Sequence, residues 1–179
     1  PYIARPEGNT ASDQDDYQTL FAEELGAVAA PTASLHFTET VVNRLKERGI
    51  RQAQVTLHVG PGTFLPVRPE CSEDIRDHQM HGEIYSIAAD TIAAIENTRR
   101  AGNRVVAVGT TVVRALETFA KTQEPVGEST IFIYPGFEFA LVDALVTNFH
   151  LPRSTLLMLV SAFAGHKEVM AAYEQAIKE

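Results

Sequence analysis

The sequence predicts an α/β domain with a mixed, largely parallel sheet flanked by helices. Three observations carry that expectation. Helical patterns alternate along the chain with short apolar runs, which is the rhythm of strand–helix units. Val105-Val106-Ala107-Val108-Gly109-Thr110-Thr111 has the order strand, glycine turn, helix start. Asp143 to Gly165 repeats that order: a short apolar run, a polar loop at Thr147-Asn148-Phe149-His150, and an apolar helix from Leu156 to Ala164. The 179 residues suffice for one domain with a real core. Apolar residues at 45% and charged residues at 21% give a globular balance, not that of a disordered tail.

Pro1 to Ser12 carries prolines, Gly8 and Asn9 with little periodicity and is expected to be a lead-in or linker, leaving 13–179 as the domain. Asp13 to Glu24 has acids where the helix dipole favours them and a shared face of Tyr17, Leu20 and Phe21. Gly26 to Ala30 is small and apolar before Pro31, suiting a short strand or a buried segment. Thr38 can cap a helix that turns Val41, Val42 and Leu45 inward, with Gly49 as its stop. Ala53 to His58 alternates as a strand with one wet face. Ile84 to Ile87 is a brief strand, Ala88 to Ala101 a helix with Ile92 and Ile95 inward and Gly102 beyond its end. Arg104 to Val108 is a buried strand that feeds a helix from Val112 to about Lys121. Ser129 to Tyr134 is expected as a strand. Pro152 fits the first position of the next helix, where no backbone donor is needed, and Ser154 and Thr155 can satisfy its first amides. From His166 a final helix groups Val169, Tyr173 and Ile177.

The totals exclude several classes. Fifteen basic against 23 acidic residues leave a formal charge of -8, which argues against a surface coated for nucleic acid. Cys71 is the single cysteine, so there is no internal disulfide and no cysteine zinc site, in keeping with a reducing, cytoplasmic setting. The longest apolar run is about half a membrane span, and no membrane partner is expected. The non-methionine start and helix-like end suggest a piece of a longer protein.

Four segments could carry chemistry. Gly109, Thr110 and Thr111 follow a strand, where helix N-termini and loop amides converge on ligands; a plain βα turn fits the same residues. The G-x-G-x-x-G fingerprint is missing, so a dinucleotide claim has no support. Arg114 and Glu117, three apart, could pair on the surface, or Arg114 could face a cleft toward a carboxylate or phosphate. His58-Val59-Gly60-Pro61-Gly62-Thr63-Phe64 places a titratable group beside a loop of fixed shape, or is a tight turn with a satisfied histidine. His78, His81 and Glu83 form H-x-x-H-x-E, but without a regular element to hold ligands, so a polar loop or substrate contact is preferred and no metal is expected. At Asn148, His150 and Ser154 an open helix start could meet a polar group, or a capped core helix could simply begin.

Together, A-A-P-T-A-S-L-H-F-T (Ala29 to Thr38), T-L-H-V-G-P-G-T-F (Thr56 to Phe64), H-Q-M-H-G-E (His78 to Glu83), A-V-G-T-T-V-V-R-A-L-E (Ala107 to Glu117), I-F-I-Y-P-G-F (Ile131 to Phe137) and the stretch from Asp143 to Gly165 resemble the S-adenosylmethionine:tRNA ribosyltransferase-isomerase family. Six blocks in order cover nearly the whole chain. The resemblance implies an enzyme that moves the ribosyl group of S-adenosylmethionine onto 7-aminomethyl-7-deazaguanine in tRNA, giving epoxyqueuosine, adenine and methionine. It implies S-adenosylmethionine as co-substrate with no permanently bound cofactor; a monomer is expected. It also implies that this chain is the α/β catalytic portion, incomplete at both ends, lacking the family's separate β-barrel domain and inactive alone. Ser34 stands where the family usually has glycine, Pro61 where alanine is usual, Val112 where serine is common, and Asp16 where arginine often follows the aspartate.

Such a reaction needs a base for the carbon beside the sulfonium. His58 and His150 are the acid/base candidates, expected at neighbouring strand ends. Gly60, Gly62, Thr63, Gly109, Thr110, Thr111, Asn148 and Ser154 are candidate substrate contacts, with Arg114 for a carboxylate or phosphate. His36, His78, His81, Glu83 and Asp143 are further candidates. A non-catalytic RNA-binding module and a metal-dependent hydrolase using His78 and His81 are the alternatives.

Overall fold

The computed structural model describes residues 18–22, 30–58 and 80–179. Most of the helix expected at 13–24 and the lead-in at 1–12 lie outside them, as does nearly all of the segment at 26–30; residues 18–22 form a turn closed by Ala22 N donating to Thr19 O.

Strands β1 (Val55–His58), β2 (Glu83–Ile87) and β4 (Val126–Ser129) form one sheet in the order β1-β2-β4, both pairings antiparallel. Strands β3 (Val106–Val108) and β5 (Ala144–Val146) form a separate parallel pair, Val106 opposite Ala144. The architecture is mixed α/β, but the expectation of a largely parallel sheet fails for the described strands. Alternating helices and strands suggest parallel crossovers, yet β2 pairs back on β1. Period-two alternation explains β2: Glu83, Tyr85 and Ile87 turn inward while Ile84 is exposed. The Tyr85 ring lies over Gly127 of β4, where an added Cβ would sit 3.3 Å from its hydroxyl oxygen, and that hydroxyl donates to Glu124 O at 3.0 Å.

Among the described residues there are five α-helices, and two of them, led by Thr38 and Ser154, start at a side-chain cap. Helix α1 (Glu39–Glu47) starts at Thr38, whose Oγ1 accepts from Val41 N at 3.3 Å, and Gly49 takes the left-handed conformation beyond its end. It buries little: Val41 is exposed and Val42 and Leu45 are only half-buried. Helix α2 (Ala89–Arg100) buries Thr91 and Ile95. Helix α3 (Thr110–Thr122) is enclosed on almost every side up to Phe119, packing on β1, β3, β4 and α4 (Thr155–Ala164). Helix α5 (His166–Lys178) follows α4 across Gly165, which has φ 90°. The core joins Tyr85 and Ile87 to Val113, Leu116 and Phe119 of α3, Leu159 and Val160 of α4, and Val169 of α5.

Several boundaries differ from expectation. The strand expected at 129–134 is Val126–Ser129 instead, because pairing with β2 ends at Glu83 opposite Ser129; Ile133 still reaches the core. In β3 only Ala107 is fully buried and Val106 is exposed, since β3 pairs with β5 alone among the described residues. Pro152 is not the first residue of α4. It sits in a turn with Arg153, whose φ is 59°, and Ser154 takes the capping position. Ile177 stands in solvent, although Val169 and Tyr173 of the same helix pack inward.

Candidate functional site at the ends of the parallel strands

Strands β3 and β5 run in the same direction, so the chain leaves both at one end, where the polar loops follow. After β3, Gly109 adopts φ 103° and donates its N–H to Val146 O at 2.9 Å, tying the two exits together. That backbone conformation explains the glycine. A Cβ at Gly109 would lie 3.9 Å from the Cβ of Ala33, so the 3-10 turn Thr32–His36 rests against this exit. The same turn is tied to the loop after β5. Asn148 Nδ2 donates to Thr32 Oγ1 at 3.1 Å, and Asn148 Oδ1 lies 2.8 Å from His36 Nε2. Segments more than one hundred residues apart thus meet at Asn148. Ser34, at the family's usual glycine, is buried and satisfied by donating to Pro31 O at 2.7 Å.

Thr110 and Thr111 are buried in the first turn of α3; Gly109, with no side chain to offer, holds the capping position. His150 is half-buried, its Nε2 lies 3.1 Å from Thr147 Oγ1, and its backbone is clasped by Tyr173 of α5. The Tyr173 hydroxyl accepts from His150 N at 2.5 Å and donates to His150 O at 3.1 Å. Burial lowers the pKa of His150 below the ordinary imidazole value. A neutral imidazole at the exit of β5 is a competent proton acceptor. Because the folded pKa is depressed, the unfolded chain takes up this proton first as pH falls; the His150 contribution to stability is full above the ordinary imidazole range and declines as pH drops through it. An NMR titration of the His150 ring protons is expected to show a midpoint below that of an exposed histidine. A midpoint at or above that value would remove burial as the controlling influence.

His58 ends β1, opposite Ile84 in the antiparallel sheet, whereas His150 follows β5 in the parallel pair; the two do not lie on paired neighbouring strands. Gly60, Gly62, Thr63 and His78 lie outside the described residues, as do Pro61 and Asp16. The Ser154 hydroxyl is committed to its own loop, accepting from Leu157 N at 3.1 Å and donating to Leu151 O at 2.7 Å. Asp143 Oδ2 accepts from Val105 N at 2.8 Å and latches the start of β5 to β3.

Arg114 is neither on the surface nor open to a cleft. Its guanidinium is buried against Glu83, with Nη1 to Oε2 at 2.7 Å, and donates further to His81 O at 3.1 Å, Ser129 O at 3.0 Å and Ile131 O at 3.3 Å. Burial pulls its pKa down while Glu83 pushes it back up. The His81 side chain is exposed, and its carbonyl is what Arg114 uses. Among the described residues no group of three or more His, Cys, Asp or Glu side chains could hold a metal ion. Glu117, which does not pair with Arg114, is fully buried and accepts from three successive amides: Ala140 at 2.7 Å, Leu141 at 3.0 Å and Val142 at 3.0 Å. The signal for it lay in Val113, Ala115 and Leu116, which leave their helix little exposed face for either charge.

The chain matches the family described as queuosine biosynthesis protein over residues 1–179. It is 54% identical over 180 residues to the S-adenosylmethionine:tRNA ribosyltransferase-isomerase of Polynucleobacter asymbioticus, covering 100% of this chain and 50% of the relative. The enzymes of that name from Thermotoga petrophila and Thermotoga maritima are 57% identical over 165 residues, covering 90% of this chain and 48% of theirs. A crystal structure of S-adenosylmethionine tRNA ribosyltransferase from Thermotoga maritima superposes with a TM-score of 0.67 at 50% identity, covering 82% of this chain and 46% of that one. The chain therefore spans about half the length of these relatives. On the full-length family match and these identities, the chain belongs to the queuosine biosynthesis protein family.

Proposed function

We propose that this chain is the α/β catalytic part, residues 13–179 behind a lead-in at 1–12, of a cytoplasmic, monomeric tRNA ribosyltransferase-isomerase. Its reaction transfers and isomerises the ribosyl group of S-adenosylmethionine onto 7-aminomethyl-7-deazaguanine in tRNA, with loss of adenine and methionine. S-adenosylmethionine serves as co-substrate, and no resident cofactor is invoked. The observation that carries the reading is the meeting of three matched segments, Thr32–His36, Gly109–Thr111 and Thr147–His150, at one end of a parallel strand pair. Relatives at 54% and 57% identity bear the name of this activity.

The site supplies what the chemistry asks for. A proton must leave the carbon beside the sulfonium, and a neutral imidazole can accept it; His150 is the first candidate and His36 stands near it through Asn148. Asn148, Thr110 and Thr111 offer polar groups for orienting the adenosyl moiety, and fixed positioning lowers the barrier on its own. Arg114 is assigned a structural role, since Glu83 and three carbonyls occupy its donors. No helix among the described residues is long and apolar enough to cross a membrane. A pure RNA-binding module fits poorly with a formal charge of -8.

The test is to incubate the complete enzyme carrying this sequence with S-adenosylmethionine labelled in the ribose and tRNA bearing the deazaguanine. Adenine release with label on the tRNA is the expected result, and His150→Ala is expected to slow it by roughly 100-fold or more. A methylated tRNA, or adenine release without transfer of label, would contradict the reading.

A further inference from the structure

Phe149 is 63% exposed, although it stands between Asn148 and His150 in the loop that the site is built on. An exposed loop side chain ordinarily samples several rotamers, whereas this ring has a fixed neighbour. It meets Tyr173 edge to face, with centroids 4.7 Å apart and planes at 90°. In that arrangement at least one face of Phe149 is left uncovered by Tyr173. Tyr173 is itself held by the two hydrogen bonds of its hydroxyl to the His150 backbone, and it projects from α5, which packs on α4. On the other side Asn148 is pinned by Thr32 and His36. The loop is therefore clamped on both flanks of the phenylalanine, and the ring is presented to solvent in a set orientation.

A hydrophobic residue needed only for packing would turn into the core that begins a few residues later at Leu156. An aromatic face held open beside polar groups is instead the arrangement by which proteins grip a flat base: the ring stacks and nearby polar groups read the edge. We propose that Phe149 is a stacking platform for a purine-type base of the substrate, with Tyr173 as its positioning residue. The inference rests on the reading given under Proposed function, in which two such rings must be held: the adenine of the sulfonium donor and the 7-deazaguanine of the tRNA. Phe149 takes one of them, and the sulfonium-side chemistry at His150 lies one residue away.

Because the ring is mostly exposed, replacing it leaves the fold intact, and thermal unfolding of each variant checks this. The experiment compares Phe149→Ala, Phe149→Leu and Phe149→Tyr in the complete enzyme, measuring KM for S-adenosylmethionine and for tRNA separately from kcat. Loss of stacking is expected to raise one KM by roughly 10-fold or more in both the alanine and the leucine variants, with kcat changed less and tyrosine close to the unaltered protein. A rise in the KM for S-adenosylmethionine assigns the platform to adenine, and a rise in the KM for tRNA assigns it to the deazaguanine. A leucine variant equal to the unaltered protein would reduce the ring to apolar filling, and an unchanged alanine variant would remove the platform altogether; either overturns the proposal. If the unaltered enzyme transfers no ribosyl label, the functional reading falls. Calorimetric titration with adenosine and with the 7-aminomethyl-7-deazaguanine nucleoside then decides the platform alone. Binding weakened by alanine and leucine but kept by tyrosine upholds it; equal binding by all variants, or no binding of either nucleoside by the unaltered protein, overturns it.

Discussion

Replacing Glu117 with alanine is expected to lower the unfolding free energy by about 3 kcal/mol or more. The carboxylate is fully buried and takes the amides of Ala140, Leu141 and Val142, so its loss strands three donors in the interior at once. A hydrogen bond to a charged group is worth about 1.5–3 kcal/mol and an unsatisfied buried donor costs about 1–3 kcal/mol, and the three act as one unit, so the effects do not add fully. Glu117→Gln is the informative companion. Its amide oxygen can keep Leu141 and Val142, while its NH2 faces the N–H of Ala140, so an intermediate loss of about 1–3 kcal/mol is expected. The consequence reaches the site, because residues 140–142 lead into Asp143, β5 and then Asn148 and His150. Urea denaturation and hydrogen exchange of amides 140–142 measure both effects. A loss below about 1 kcal/mol for the alanine variant would show that the nest does not hold this connection.

Arg114→Met is expected to cost about 3–5 kcal/mol, the range for removing one partner of a buried ion pair. The Glu83 carboxylate, with its side chain 3% exposed, loses the cation that faces it, and the carbonyls of His81, Ser129 and Ile131 lose their donor. These acceptors come from the start of β2 and the residues just before it, the end of β4 and the segment beyond it, so one guanidinium joins the antiparallel sheet to α3. Arg114→Lys keeps the charge but offers a compact point with three donors in place of a planar fork, and it is expected to recover only part of the loss. Were Arg114 a ligand-binding group instead, its removal would leave stability nearly unchanged and raise KM; differential scanning calorimetry beside kinetics separates the two.

The two residues show what local pattern could and could not disclose. Thr38 with Gly49 was legible because a cap is a matter of a few consecutive residues, whereas α3 begins at Thr110 and not at Val112, and Ser154 and not Pro152 leads into α4. The strand partners were not legible. A glycine turn into a helix says that a strand ends but not what lies beside it, and the antiparallel β1-β2-β4 sheet arises from pairing across long stretches of chain. Likewise the spacing of Arg114 and Glu117 established that two charges sit on a crowded helix, but their partners, Glu83 on one side and a run of backbone amides on the other, come from elsewhere in the chain. The helix enclosed on nearly every side is α3, and the stretch from Asp143 to Gly165 packs beside it through α4.

The geometry of the candidate site was partly legible for the same reason. Gly109, Asn148 and His150 follow strands, where a sheet protein gathers ligands, and the structure brings them together with His36. His58 follows a strand too, but one in the other sheet. The pairing of Tyr173 with Phe149 was not legible, because an aromatic on a helix face and another in a loop carry no sign of their contact until the fold brings them together.

The proposed function requires that substrate be held at the exits of β3 and β5, beside the turn at 32–36. Hydrogen-exchange footprinting of the complete enzyme with saturating S-adenosylmethionine tests it most directly. Slowed exchange of amides in 32–36, 109–111 and 147–151 is the expected result. Protection elsewhere with these three segments unchanged would contradict the account.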